Sequence, residues 1–263
     1  MRTKFLIQLL AFALLCAGVF FAVYALFPEK WLDRMHISKE QEQELGQTIR
    51  SWMTEGEDVI QHPELDSALQ RIERRFRTAD ILQYDFNFTV IQSEEVNAFA
   101  LPGGEIVIYS GLIAHCNHPE ELAAVIAHEM GHAEKQHVLK RMVGAVGVTT
   151  LGQVLGGQNG SVVSDVIQEL VLKGFSRSQE EEADQFALLL LKRAQLDPGY
   201  LASVFQILAD LEEESLDGVP EMLMTHPNVA DRIQQATEFA VKNPVETVEL
   251  NISNWENRGN WIH

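Results

Sequence analysis

Cysteine is nearly absent from this 263-residue chain: there are two, Cys16 and Cys116. The first lies in an apolar N-terminal run, so no disulfide framework can hold the remainder together. Stability must come from a hydrophobic core, a bound metal, or both. Positive charge is scarce as well, with 20 Lys and Arg against 38 Asp and Glu and a formal net charge of −18. So acidic a surface is repelled by nucleic acid and by anionic headgroups, which excludes a nucleic-acid partner. There is no Gly-x-Ser-x-Gly elbow and no Gly-Lys-Ser/Thr phosphate loop, and Cys116 has no readable catalytic context, which removes three enzyme classes. No period of 20–50 residues suggests a repeat array.

What the chain does have is one motif with a definite chemistry. His128-Glu129-Met130-Gly131-His132 reads His-Glu-x-x-His. Two histidines four apart lie about 40° from each other around a helix, so both imidazoles can reach one metal ion. Glu129 projects beside the pair, next to the metal's open position, where a carboxylate can act as general base. The helix is legible without the motif. Pro119-Glu120-Glu121 is a start signal, with proline in the first turn and acids at the positive end of the dipole. Leu122, Val125, Ile126 and Met130 then supply an apolar face at spacings of three and four, as in a half-buried amphipathic helix.

A hydrolytic zinc site takes three protein ligands and keeps a fourth position open. The third ligand is sought downstream, where Ser176 to Asp184 opens a second helix that continues through Phe186, Leu189 and Leu190. Glu180 and Asp184 share a face, and Ala183 and Ala187 are small enough to let another helix approach. Glu180 is therefore a candidate ligand, and Asp184 a candidate acceptor for the free ring N–H of a metal-bound histidine. Spacing alone leaves open that Glu180, Glu181 and Glu182 are only a solvated acidic first turn.

Four blocks, in order, carry a family resemblance. The first is Asn97-Ala98-Phe99-Ala100-Leu101-Pro102-Gly103-Gly104, followed by Ile106-Val107-Ile108 and Ser110-Gly111-Leu112. The second is Val125 to His132, and the third is Ser176-Arg177 with Glu180, Ala183 and Asp184. The fourth is Thr225-His226-Pro227 followed by Arg232-Ile233. Together they resemble the membrane-associated zinc endopeptidases that include HtpX, the CAAX prenyl proteases, the Oma-type mitochondrial protease and the periplasmic proteins BepA and LoiP. The resemblance implies one zinc per chain, with His128, His132 and Glu180 as ligands, Glu129 as catalytic base and Asp184 behind a ligand. Asn97, Gly103 and Gly104 are read as substrate-binding, although Asn97 can equally hold a turn. The resemblance puts His226 in the cleft, as a resting fourth ligand or as a hydrogen-bond partner of the tetrahedral intermediate. By itself, His226-Pro227 can equally be a helix entry. His115, His118 and His137 lack a partner at ligand spacing, and His137, five residues after His132, is expected to point away from the metal.

The expected fold is mainly α with a small β-sheet, an α+β zincin-like metallopeptidase domain behind one N-terminal transmembrane helix. Ser38 with Gln41 reads as a capping box for a helix to about Thr54, and Pro63 starts another to about Arg77. Strands are expected at Phe86 to Ile91 and Glu105 to Tyr109. An extended peptide could add to their edge through backbone hydrogen bonds that ignore sequence. Met142 to Gly157 reads as a buried helix and loop over the cleft, with a membrane-dipping segment as the alternative. Further helices are expected from about Val162 to Gly174, from Pro198 to about Glu214, and from Pro227 to about Lys242. Trp255 and Trp261 lie in a tail that packs back or binds a partner.

Phe5 to Phe27 carries one strongly polar side chain, Gln8, and at 1.5 Å per residue is long enough to cross roughly 30 Å of hydrocarbon. Arg2 and Lys4 precede it, which holds the N-terminus in the cytoplasm and the remainder outside. Residues 1–30 are thus expected to be a signal anchor and residues 31–263 a zinc metallopeptidase domain. That places a single-pass protein in the bacterial inner membrane with its catalytic domain in the periplasm. The alternative is secretion to the periplasm after cleavage near Val23-Tyr24-Ala25, although the apolar run exceeds a usual signal core. Leu14-Leu15 before Cys16 argues against lipidation. The expected activity is hydrolysis of peptide bonds in unfolded or damaged envelope proteins, with envelope assembly factors as further partners. The alternative from another class is a zinc-stabilised chaperone or assembly factor whose proteolysis is secondary or silent. A prenyl-protein protease is set aside because that work calls for several spans.

Overall fold

The computed structural model describes residues 37–147, 174–214 and 221–262, with Gly18 and Leu151 as isolated positions. The chain forms two units, Met1–Ile37 and Ser38–His263, and every element below belongs to the second. The expected anchor at Phe5 to Phe27 and the expected helix over 162–173 lie outside the described residues. Among the described residues, no helix is long and apolar enough to cross a membrane.

Helix α1 (Lys39–Met53) opens on Ser38, whose hydroxyl accepts from the Gln41 N–H while the Gln41 side chain accepts from the Ser38 N–H. This reciprocal cap is the one read from the sequence. Helix α2 (Pro63–Ala79) starts on its proline, which lacks an N–H where none is needed. Strands β1 (Asn87–Ile91), β2 (Ala98–Ala100) and β3 (Glu105–Tyr109) form one sheet in the order β1-β3-β2. β1 runs parallel to β3 with Val90 opposite Ile108, and β2 runs antiparallel to β3 with Phe99 opposite Val107. β2 is therefore an edge strand.

Helices α3 (Ser110–His115), α4 (Pro119–Glu134), α5 (His137–Val146), α6 (Arg177–Arg193), α7 (Gly199–Glu214), α8 (Glu221–Thr225) and α9 (Val229–Lys242) follow. α4 is the centre of the domain, packed against α6, α7 and β2. Every residue from Glu120 to Ala133 is buried, which corrects the expectation of a half-buried helix. Ala123, Ala124 and Ala127 line the faces that lack large apolar side chains, and a helix apolar all round is a core helix. α4 and α6 meet at Gly131, where an added Cβ would lie 3.0 Å from both Cα and O of Ala183. That close crossing sets the first turn of α6 against the histidines.

Other boundaries shift for local reasons. α9 begins at Val229, after Pro227, because Asn228 takes a left-handed conformation with φ 66°. Of the segment Met142 to Gly157, the described residues are the end of α5, which starts earlier, at His137, together with Gly147 and the buried Leu151. The C-terminal tail packs back on the domain. Trp255 and Trp261 are buried in a 3₁₀ segment. Trp255 donates its Nε1–H to the Asn117 carbonyl at 3.1 Å, and Arg258 donates to the Ile113 and Ala114 carbonyls.

Candidate metal centre and active site

His128 and His132 stand one turn apart on α4, with their Nε2 atoms 3.1 Å from each other. Glu180 comes from the first turn of α6, held in place by a Ser176–Gln179 capping box. Its Oε1 lies 3.4 Å from His132 Nε2 and its Oε2 lies 3.6 Å from His128 Nε2. His226 follows the end of α8, its backbone N–H donating to the Met222 carbonyl. Its Nδ1 is 3.2 Å from His128 Nε2 and 3.0 Å from Glu180 Oε1. One donor atom from each of these four buried residues lies within 4.8 Å of the other three, and the set could hold a metal ion.

The geometry of the donors fits a cation there, while Glu180 and Glu129 push the His226 ring above its ordinary range against its burial. Asp184 Oδ1 is 2.8 Å from His128 Nδ1; an acceptor at Nδ1 puts that ring's proton on Nδ1 and leaves a lone pair on Nε2. Burial pushes the His132 ring well below its ordinary range. Two imidazole Nε2 atoms and a carboxylate thus face one buried point. Three imidazole nitrogens and one carboxylate are a donor set suited to zinc.

Around the donors sits a second layer of contacts. Arg232, from α9, donates from Nε and Nη2 to Asp184 at 2.7 Å each, and its Nη1 is 2.6 Å from Glu180 Oε2. Its guanidinium stacks over the Phe205 ring at 4.1 Å. Phe175 stacks on His132 with ring centroids 3.8 Å apart. Burial alone would raise Glu180, but His226, His132 and Arg232 hold it well below the usual carboxylate range. Asp184 is lowered in the same way, against its burial, by His128 and Arg232. Glu129 goes the other direction. Burial pushes its carboxyl up despite His226, His128 and the Ala100 N–H, which donates to its Oε2 at 2.7 Å. A carboxylate with raised proton affinity suits a general base.

Of the residues expected from the sequence, His128, Glu129, His132, Glu180, Asp184 and His226 are brought together. Asn97 lines a small pocket beside them with Phe99, Ala100, Phe175, Thr225 and His226. Gly103 and Gly104 are placed elsewhere, in the left-handed turn between β2 and β3 at φ 72° and 91°. The Gly103 N–H donates to Glu42 of α1 at 3.4 Å, so this turn packs on the scaffold. Two residues were missed. Arg232 stood in the fourth block without a role; its one signal is a cation in the first turn of a helix, where the dipole disfavours it. His137, expected to point away, instead touches His132, with their Nδ1 atoms 3.0 Å apart.

A buried helix bearing two histidines and a glutamate, faced by a second helix that supplies carboxylates, defines a metallopeptidase domain. The chain belongs to peptidase family M48, whose profile matches residues 61–240. It is 37% identical over 155 residues to the metalloprotease LoiP of Escherichia coli, covering 56% of this chain and 60% of that one. It is 28% identical over 218 residues to the beta-barrel assembly-enhancing protease of Yersinia pestis, covering 78% of this chain and 45% of the relative. The mitochondrial metalloendopeptidase OMA1 of Arabidopsis thaliana is 36% identical over 140 residues, 53% of this chain and 28% of the relative. The chain thus spans about half the length of the curated relatives it matches.

Proposed function

We propose that this chain is a zinc-dependent endopeptidase that hydrolyses peptide bonds of unfolded or damaged proteins. The carrying observation is Glu129. One of its oxygens is fixed by the Ala100 N–H, while Oε1 and His226 Nε2 are buried without hydrogen-bond partners and lie 3.7 Å apart beside the donor cluster. Buried polar atoms left unpartnered are rare and mark places where another group is received.

In this reading His128, His132 and Glu180 hold zinc. When bound, zinc supplies Lewis acidity toward a carbonyl and lowers the pKa of water. Glu129 takes a proton at Oε1 and returns it to the leaving nitrogen. Asp184 keeps His128 in the tautomer whose Nε2 is free to bind, and Arg232 keeps Asp184 in place. β2, the edge strand whose Ala100 N–H reaches Glu129, gives an extended peptide a backbone to align on, which favours broad specificity. His226, whose Nδ1 lies 3.0 Å from Glu180 and 3.2 Å from His128, would serve as a resting fourth ligand or as a hydrogen-bond partner of the tetrahedral intermediate.

The domain assignment follows the expectation from sequence, with residues 1–30 as anchor and residues 31–263 as peptidase in the periplasm. The names of the bacterial relatives, a metalloprotease and a beta-barrel assembly-enhancing protease, support envelope proteins as substrates and assembly factors as partners. One observation favours a second reading: four protein donors converge, and four is the number of a structural zinc site. A zinc-stabilised chaperone would use it so. Purified full-length protein with its metal counted, incubated with unfolded casein, separates the two. About one zinc with cleavage that a chelator abolishes and zinc restores supports the peptidase; one zinc without cleavage supports the chaperone.

A further inference from the structure

His137 lies five residues after His132, so a continuous helix would carry it to the far side. The helix does not continue. α4 ends at Glu134, Gln136 adopts φ 54°, and α5 begins at His137. A left-handed conformation is unfavourable for a residue with a Cβ and persists only where surroundings impose it. Here they are identifiable. The Gln136 side-chain amide donates to Glu42 Oε2 at 2.9 Å and reaches the Tyr84 hydroxyl at 3.2 Å. The Tyr84 hydroxyl itself donates to Glu42 at 2.9 Å. Glu42 is buried on α1, so a carboxylate from another helix pins the turn.

The turn folds His137 back into the domain. Its Nδ1 lies 3.0 Å from His132 Nδ1, and its Nε2 lies 3.4 Å from Glu182 Oε2. His137 is buried, whereas the Glu182 side chain is 53% exposed. If His132 binds metal through Nε2, its proton sits on Nδ1 and needs an acceptor. The His137 Nδ1 lone pair is that acceptor, which places the His137 proton on Nε2, directed at Glu182. Two imidazole tautomers are thereby set by one carboxylate at the surface. The other ligand of α4 is supported differently, since His128 meets the buried Asp184 directly.

We infer that His137 is a positioning residue: it accepts the His132 Nδ1–H and relays it to Glu182, so that a surface carboxylate sets how tightly the centre holds zinc. This rests on the reading of His132 as a zinc ligand. The test is zinc affinity of the full chain by competition with a chromophoric chelator, alongside the unfolding midpoint of the metal-free protein. His137→Leu is expected to weaken zinc binding tenfold or more, within the range for lost support of a ligand, with the metal-free midpoint little changed. His137→Asn, whose side-chain oxygen accepts near the position of Nδ1, is expected to recover most of the loss. Glu182→Ala, at an exposed position that folding tolerates, is expected to lose a few-fold. Wild-type affinity in His137→Leu, or an equal loss in His137→Asn, overturns the relay. If His137→Leu does not fold, Glu182→Ala decides, and unchanged affinity there overturns it. A wild-type chain that takes up no zinc overturns the ligand reading itself.

Discussion

Arg232 grips Asp184 with two guanidinium nitrogens, Nε and Nη2, each 2.7 Å from a carboxylate oxygen. Its third nitrogen is 2.6 Å from Glu180, so one buried cation pairs with both inward-facing acids of α6. Removing one partner of a buried charge network is far more costly than the network's net worth, because it strands the others.

Arg232→Met is therefore expected to cost about 3–5 kcal/mol in the metal-free protein. Arg232→Lys is expected to recover only part, since an ammonium cannot bridge two carboxylates as a planar fork does. Thermal unfolding of metal-free and zinc-loaded samples checks this. A stability change below about 1 kcal/mol in Arg232→Met would show that the ion pairs do not hold the site.

Glu180→Ala is expected to lose zinc while Glu181→Ala retains it, because Glu180 is buried against both histidines and Glu181 faces solvent. Metal analysis of the dialysed proteins is the measurement. Full zinc in Glu180→Ala would move the third ligand elsewhere.

How far the sequence reached depended on the range of the interaction. The cap at Ser38, the proline start of α4 and the shared face of Glu180 and Asp184 are local features, set within four residues. The missed features are set at a distance. β2 is three residues, Ala-Phe-Ala, too short to show an alternation, and exists as a strand because β3 pairs with it. α4 looks amphipathic until α6, α7 and β2 cover it. His137 was misjudged because nothing near Gln136 announces a left-handed residue; the cause is Glu42, 94 positions away. Arg232 finds its partner 48 residues upstream.

His226→Ala is expected to raise basal cleavage of an unfolded substrate several-fold with zinc content unchanged. The His226 ring lies within donor distance of Glu180 and His128, and withdrawing a fourth ligand opens the position a hydrolytic site needs. A lower rate would instead give His226 a role in stabilising the transition state.

Gly103→Ala is expected to destabilise the fold by roughly 3 kcal/mol. The residue has φ 72°, and an added Cβ would lie 2.4 Å from Gln43 Cα. At a temperature where the variant is folded, its cleavage pattern on casein should match wild type, read by mass spectrometry of the products. A changed pattern at unchanged stability would restore this glycine to substrate binding.

In the proposed reading Glu129 moves the proton while its neighbours would hold the metal. The most direct test of that reading is Glu129→Gln, with bound zinc and the rate of unfolded-casein cleavage measured on the same preparation. About one zinc per chain is expected, with a rate reduced by roughly 10²–10⁴-fold or more, the range for removing a positioned acid–base group. Cleavage at the wild-type rate with zinc fully bound would contradict that reading.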